Sequence, residues 1–437
     1  MNLLIIGGGG REHALAWKVR QSPLAERVWV APGNGGTARE PGIENVSISA
    51  NDIPSLVAFA REQAVELTIV GPEAPLVAGI VDAFAAAGLR CFGPRAAAAQ
   101  LEGSKQFTKD FLARHGIPTA DYQSFSDEAE ALAWLEARAP FTRPVVIKAD
   151  GLAAGKGVII AEDLAQARAS VHAMLSEQQF GAAGQRLVIE EFLSGEEASF
   201  IALVDGKTLV PLASSQDHKA RDEGDNGPNT GGMGAYSPAP VVTAELHERI
   251  MTEIMRPTVW ALAEEGLRYR GFLYAGLMID AEGAPRVLEF NCRLGDPEAQ
   301  PLLMRLQSDL VQLCLDACDG HLSEAPLNWD SRVALGVVMA AAGYPDRPKT
   351  GDIIQGLEAV AQTPDCKVFH AGTQAQEGAI LSSGGRVLCA TALGADVASA
   401  RATVYANLEH IHFDGGFYRR DIGHRALARV TAPEQAS

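Results

Sequence analysis

Apolar positions along the first hundred residues fall into short unbroken runs separated by longer amphipathic stretches. Asn2–Ile6 and Arg27–Ala31 read as buried strands, and each runs into a glycine turn, Gly7–Gly10 and Pro32–Gly36. Between them, Arg11–Arg20 carries apolar residues at Ala14, Leu15, Trp17 and Val19, as a helix does. Asn51-Asp52 precede a helix to about Gln63 in the manner of N-caps. Thr68–Val70 is a third strand ending in Gly71-Pro72-Glu73; one helix then runs to about Ala87, and Cys91–Gly93 is a fourth strand. This alternation predicts an α/β domain with a doubly wound parallel sheet. Ligands bind at the carboxyl ends of strands in such sheets, where the polar and glycine-rich loops lie.

A smaller unit follows. Ser104 caps a helix over Lys105–His115, and Asp127-x-x-Glu130 opens another as a variant capping box. Val145–Lys148 and Gly157–Ile160 read as strands around a turn, Asp163 starts a helix to about Leu175, and Arg186–Glu190 is a strand. The pattern from Glu197 to Pro211 is again strand-like, whereas Ser214–Pro238 has no period at all. Structureless stretches of that length in compact domains are usually functional loops. One long helix over Ala244–Glu265 leads to strands Gly271–Ile279 and Arg286–Phe290, joined at Glu282-Gly283. A last unit begins near Pro326, with strands around Arg332–Ala340, Lys367–His370 and Arg386–Thr391.

Charge narrows the function. The chain has 437 residues, 37 Lys plus Arg and 54 Asp plus Glu, a formal net charge of −17. Such a body repels a nucleic-acid backbone, which leaves room only for local basic pockets that hold small phosphates. The opening residues are too short for a signal-peptide core, and Val333–Gly343 is too short to span a bilayer. The six cysteines show no CxxC spacing, and Cys314 and Cys318 share a helix face, so a reducing cytoplasm is expected.

Five segments carry candidate chemistry. Gly7–Gly10 followed by Arg11-Glu12-His13 would leave backbone N–H groups free at a helix start, which suits a phosphate. The dinucleotide fingerprint fails there, because Glu12 stands where its third glycine belongs and Ala31-Pro32-Gly33-Asn34 offers no acid at the second strand end. A tight turn without a ligand is the plain alternative. Second, Lys148 through Gly151, Gly155, Lys156 and Gly157 is a small-residue loop with a lysine at each end, suited to phosphate oxygens but not a Walker loop; a hairpin with solvated lysines is the alternative. Third, in Glu190–Glu197 a strand stops and restarts, where backbone groups can pair an adenine edge and an acid can accept from ribose. Fourth, Glu289 and Asn291 face one side of a strand, a carboxylate and an amide oxygen fit for Mg²⁺, with Arg293 next on that face; a polar edge strand is the alternative. Fifth, the aperiodic loop holds Asp217-His218-Lys219 and the glycines at 227–234; it reads as a lid over a reactive intermediate, since no nucleophile supports a hydrolase.

In order along nearly the whole chain stand GGREHALAWK, APGNGGT, GPEAPL, IKADGLAAGKGV, EEFLSGEEAS, QDHKARDEGDNGPNTGGMGAYSP, LEFNCRLGDPE, AGYP, HAGT and YRRDIG. Together they resemble the phosphoribosylamine–glycine ligases (glycinamide ribonucleotide synthetases), ATP-grasp enzymes of purine biosynthesis. One departure is Gly8, where family members carry Asn or Ser. The resemblance implies an N-terminal phosphoribosylamine-binding domain over 1–103 and a central α+β ATP-grasp catalytic domain over 104–122 plus 192–325. An ATP-grasp lid over 123–191 and a small C-terminal domain over 326–437 complete the chain. It implies that ATP phosphorylates glycine and that 5-phospho-D-ribosylamine attacks the acyl phosphate.

The resemblance also implies residue roles. Lys105 and Lys148, with Gly155, Lys156 and Gly157, would contact ATP phosphates. Glu190, Glu191 and Leu193 would read adenine, and Glu197 the ribose. Glu289 and Asn291 would hold Mg²⁺ or Mn²⁺, and Arg293, with Lys148, would act at the reacting phosphoryl group. Gly9, Gly10, Arg11, Glu12, Asn34, Glu73, Asp217, Lys219 and Asp296 would contact the substrates. A second metal lacks an acid on Tyr274–Met278. A monomer or weak homodimer is expected, without nucleic-acid or membrane partners. Another ATP-grasp ligase, a biotin-dependent carboxylase without its biotinyl module, or a nucleotide sensor are the competing readings.

Overall fold

In a computed structural model, residues 1–152, 157–177 and 181–431 are described. The first unit is a five-stranded parallel sheet in the order Ile43–Asn45, Arg27–Pro32, Asn2–Gly7, Leu67–Val70, Cys91–Phe92. Strands of this sheet are buried on both faces, which is why they read as unbroken apolar runs. Ile43–Asn45 is an edge strand of three residues, too short to give a period. The helix expected from Glu73 to Ala87 is two, Glu73–Val77 and Ile80–Ala86, because Gly79 between them sits at φ 89°, outside helical space.

The lid is an antiparallel sheet in the order Tyr122–Phe125, Leu187–Glu191, Val145–Ala149, Val158–Ala161. Helices Glu128–Glu136 and Leu164–Leu175 cover it, started by Asp127 and Asp163, whose carboxylates accept from the backbone N–H groups of Glu130 and Gln166. It has its own core around Ile147, Val171 and Ile189. The central sheet runs Leu209–Pro211, Glu196–Asp205, Arg270–Ile279, Pro285–Asn291. The helix over 244–264 is continuous but widens into a π turn at Met251–Met255. Pro257 follows directly and has no N–H to give the Glu253 carbonyl, so the turn opens there.

The aperiodic segment 214–238 is not a free lid. Gln216–Asp217 and Gly234–Ser237 are strands of a five-stranded sheet completed by Val333–Ala340, Arg386–Gly394 and Cys366–His370. Ala220–Asp222 and Asn226–Asn229 form a hairpin. Strands of two to four residues are too short for a period-two pattern to register. This sheet therefore crosses the division expected at residue 326. Leu4 and Ile6 share one core with Phe200 and Leu273, so the first and central sheets are packed as one body.

Two outcomes follow from that packing. Phe272 of the central sheet meets Phe92 of the first edge-to-face, centroids 5.0 Å apart. Phe272→Ala should lower unfolding free energy in urea by ~3–5 kcal/mol; a loss below about 1 kcal/mol would show that the two sheets do not share a core. Glu40 pairs with His13 Nε2 at 3.1 Å and with Lys367, tying the first unit to the last. Burial alone would raise its carboxyl, but these partners hold it at about 2, below the ordinary 4.5. Its stabilisation is therefore full above 4.5 and lost as pH falls towards 2. Glu40→Gln should flatten the acid limb of the stability–pH curve, and an unchanged limb would refute this coupling.

Candidate active site

A cavity of about 390 Å³ lies between the lid and the central sheet. Val146, Ile160, Phe192, Leu193, Met278 and Leu288 give it an apolar end. Charged groups line the rest.

Lys148 anchors that apolar end. Its Nζ stands 2.9 Å from Glu190 Oε1 on the neighbouring lid strand and donates to the Leu288 carbonyl of the central sheet at 3.1 Å. That carbonyl is available because of a β-bulge: Gly276 pairs Glu289 and Leu277 pairs Val287, so Leu288 has no opposite residue. Lys109 reaches the same carboxylate from the helix Lys105–Arg114, at 2.9 Å, and donates to Thr119 Oγ1 at 2.7 Å. Burial pushes the Lys109 ammonium down to about 8, with Glu190 opposing and Lys148 assisting. Sequence reasoning missed Lys109; its one signal is that it shares the helix's buried face with Thr108, Phe111 and Leu112.

Asp150 ties the lid loop to that helix. Its Oδ1 accepts from Ser104 Oγ at 2.9 Å and from the Gln106 N–H at 2.8 Å, and its carbonyl accepts from the Lys105 N–H at 2.9 Å. Lys105, Gly157, Glu191 and Leu193 line the cavity. Glu191's N–H is already given to Asp121 and its carboxylate to Arg286, which leaves its carbonyl for a ligand. Gly155 and Lys156 lie outside the described residues.

Glu289, Asn291 and Glu197 meet in one wall of the cavity. Lys219 lies between them, 3.0 Å from Glu197 and 3.9 Å from Glu289. Burial would raise the Glu289 carboxyl, yet Lys219, Lys105, Lys148 and Arg293 together hold it at about 2, so it is ionised at neutral pH. Gly276 opposite it leaves room for the side chain; a Cβ there would come within 3.3 Å of Glu289 Cγ. An ionised carboxylate beside an amide oxygen fits a hard divalent cation.

Arg293 is held by acids. Its Nη2 is 2.9 Å from Glu102 and donates to Asn291 Oδ1 at 3.1 Å, and its Nε is 3.4 Å from Glu73. Glu102 also accepts the Cys292 N–H at 2.6 Å. Sequence reasoning missed Glu102, an acid on the otherwise small and apolar helix Ala96–Gly103. Arg11 completes the group by donating to the Leu294 carbonyl at 3.0 Å.

A second cavity of about 370 Å³ opens where Gly8, Gly9, Gly33 and Asn34 face Thr373, Ser383 and Arg386 of the last unit. The expected free amides are not all free. Glu12 Oε2 accepts the Gly9 N–H, and Glu12 Oε1 accepts from Arg11. Glu12 thus caps its own helix and lines neither cavity, and Gly10 lines neither. Asn34 spends both ends of its amide on backbone, donating to Gly8 and His370 carbonyls and accepting from Gly36 and Thr37. Its side chain builds the turn, and its backbone is engaged there as well, the N–H donating to Thr37 Oγ1 at 2.8 Å and the carbonyl accepting from Asn45 Nδ2 at 2.9 Å. Asp296 lines both cavities, with Arg386 at 3.5 Å. Arg386 also donates to the Gly231 and Asp296 carbonyls, and no spacing in the sequence links it to them.

Asp217 and His218 point to opposite sides of their strand and form no dyad. Asp217 lines the large cavity, whereas His218 Nε2 accepts the Gly423 N–H at 3.1 Å. Burial pushes the His218 imidazole down to about 4, so it is neutral. His218, Asp225 and His424 cluster, but Arg419 at 2.9 Å and Arg425 at 2.7 Å already neutralise Asp225. This network pins the strand bearing Asp217 to the C-terminal segment rather than inviting a cation.

Three comparisons place this geometry. The descriptions "Phosphoribosylglycinamide synthetase" N domain, ATP-grasp (A) domain and C domain fit residues 1–102, 103–299 and 334–425. A phosphoribosylamine–glycine ligase of Allochromatium vinosum is 67% identical, over 98% of this chain and 99% of its own. The crystal structure of the phosphoribosylamine–glycine ligase of Thermotoga maritima superposes with a TM-score of 0.82 at 34% identity, covering 97% of this chain and 100% of that one. A biotin carboxylase domain from Hydrogenobacter thermophilus, solved with MgADP and bicarbonate, shares the fold at TM-score 0.73 and 16% identity, covering 95% and 91%. The cavity between lid and central sheet thus sits in an ATP-grasp ligase of purine biosynthesis, and the chain belongs to the phosphoribosylamine–glycine ligase family.

Proposed function

We propose that the large cavity binds ATP and glycine, and that the adjoining cavity at Arg386 binds 5-phospho-D-ribosylamine. The observation that carries this is the set of charged and polar groups lining the large cavity, Lys148, Lys105, Glu289, Asn291, Arg293, Asp296 and Arg386, the last two of which also line the second. Adenine would lie among Val146, Ile160, Leu193 and Leu288, with Glu191 offering its carbonyl and Glu197 accepting from the ribose. Glu190 holds Lys148 and Lys109 in place for the phosphates. Glu289 and Asn291 would hold Mg²⁺ or Mn²⁺, which, bound with ATP, neutralises phosphate charge.

Phosphoryl transfer needs mainly positioning and charge neutralisation. Arg293, kept in place by Glu73 and Glu102, neutralises the phosphoryl group moving onto the glycine carboxylate. The neutral amine of the ribosylamine then attacks that carbonyl carbon. A C–N bond forms, the C–O bond to phosphate breaks, and inorganic phosphate and one proton leave. The products are glycinamide ribonucleotide, ADP and phosphate. Gly9, Asp296 and Arg386 face the phosphoribosyl group, and Asp217 and Lys219 face the glycine side.

We divide the chain at 1–103, 104–122 plus 192–325, 123–191 and 326–437, with the strands at 216–217 and 234–237 shared with the last unit. The net charge of −17 supports small-molecule partners rather than nucleic acid. Among the described residues no helix is long and apolar enough to cross a membrane. The six cysteines are free, in keeping with a reducing cytoplasm.

The direct assay is ADP release with ATP, Mg²⁺ and glycine, with and without ribosylamine generated in the cuvette; release indifferent to glycine and the amine would refute the reading. Glu289→Gln should lose most turnover at limiting Mg²⁺ while keeping the fold, and near-normal turnover there would remove Glu289 from the metal site. Lys148→Ala should raise the ATP KM by about tenfold or more and move the glycine KM far less; equal shifts in both would contradict its place on ATP.

A further inference from the structure

A buried imidazole joins the two walls of the second cavity without lining either cavity itself. One wall is made by the glycine turns of the first unit, Gly8, Gly9, Gly33 and Asn34. The other is made by Ala371, Gly372 and Thr373, just past the strand Cys366–His370. His13, on the helix Gly10–Arg20, is 1% exposed and lies at the seam between them. Its Nδ1 accepts the His370 N–H at 2.8 Å, and its Nε2 stands 3.1 Å from Glu40 Oε1, which Lys367 also holds.

The seam continues on both sides of this bond. The His370 carbonyl accepts from Asn34 Nδ2 at 2.7 Å, and the same amide donates to the Gly8 carbonyl at 3.0 Å. His370 Nδ1 is 3.1 Å from Thr373 Oγ1, and the Gly35 N–H donates to the Thr373 carbonyl at 3.1 Å. Gly36 lets the turn close on this contact, since a Cβ there would lie 2.4 Å from His13 Cε1 and 2.6 Å from His370 Cβ.

These partners fix the ring's proton. Nδ1 faces an N–H and so is bare; Nε2 faces a carboxylate and so carries the hydrogen. Burial pushes the His13 imidazole below its ordinary 6.5, with Lys367 assisting and Glu40 opposing. Burial also pushes His370 down to about 3, with His13, Lys367 and Arg39 assisting and Glu40 opposing, so both rings are neutral at neutral pH.

We propose that His13 is a positioning residue for the second cavity: with its proton on Nε2 it docks the backbone of His370, and so sets Ala371–Thr373 against the glycine turns at the spacing the ribosylamine requires. Losing the Nδ1 acceptor leaves a buried N–H unpaired, and the wall it holds is free to shift. Losing only the Glu40 contact does not, because Lys367 still pairs that carboxylate. ATP and glycine sit in the other cavity and are spared.

This inference rests on the second cavity taking the ribosylamine, and the test separates the two. KM values for ATP, glycine and ribosylamine generated in the cuvette are measured on the full chain at neutral pH. His13→Asn keeps an acceptor oxygen where Nδ1 was and loses the reach to Glu40; His13→Gln does the reverse. His13→Asn should keep the ribosylamine KM within about threefold of wild type, whereas His13→Gln and His13→Ala should raise it about tenfold or more. The ATP and glycine KM values should move less than about threefold. In spectra of protein labelled with nitrogen-15 in histidine, the ring signal that His13→Asn removes should show a bare Nδ1 and a protonated Nε2. If His13→Ala does not fold, the contrast between Asn and Gln decides by itself. A ribosylamine KM raised by His13→Asn as much as by His13→Gln overturns the proposal. So does a ribosylamine KM unmoved in His13→Gln, a parallel rise of all the KM values, or a proton on Nδ1. An unmoved ribosylamine KM in Arg386→Ala would instead overturn the cavity's assignment. Wild-type ADP release that ignores the amine would overturn the function itself, and either result takes this inference with it.

Discussion

The site depends on one buried ammonium. Lys148 bridges a lid carboxylate, Glu190, and a central-sheet carbonyl, Leu288, and is 5% exposed. Breaking a buried ion pair by removing one partner costs about 3–5 kcal/mol, because the survivor is left uncompensated. Here the survivor would be Glu190, though Lys109 would still reach it. Lys148 and Glu190 both line the cavity, and Lys109 reaches Glu190 without lining it.

Everything else in the cavity is arranged around charge that is paired but not cancelled. Lys219 stands among Glu197 and Glu289, and Arg293 among Glu73, Glu102 and Asn291. Buried ion pairs contribute little net stability. Their value lies in preorganisation: charged groups fixed where a transferring phosphoryl group needs them stabilise its transition state without moving. The lid has its own core, and through Asp150 its loop is joined to the start of the helix that bears Lys105 and Lys109.

The C-terminal unit is part of the site as well. The five-stranded sheet that takes up 216–217 and 234–237 presents Asp217 to the cavity on one side and locks His218 against Gly423 on the other. Arg386 on the same sheet joins Gly231 to Asp296 at the junction of the two cavities. A chain segment without periodicity is made rigid by strands from a hundred residues away.

The sequence alone determined the parallel first sheet, the caps at Ser104, Asp127 and Asp163, and the face shared by Glu289 and Asn291. Each of these is a local matter of period, N-cap chemistry or strand alternation within a few residues. It also carried the motifs that gave the family. Tertiary structure decided the rest. Glu12 and Asn34 looked like ligand contacts and turned out to hold their own turns, because which side of a turn faces a cavity depends on what packs against it. Lys109, Glu102 and Arg386 gave no motif, since a charge's partners lie far off in the chain: Lys109 meets Glu190, Glu102 meets Arg293, and Arg386 meets Asp296. The bulge at Leu288, which frees the carbonyl for Lys148, is a property of strand pairing and has no signature in one strand read by itself.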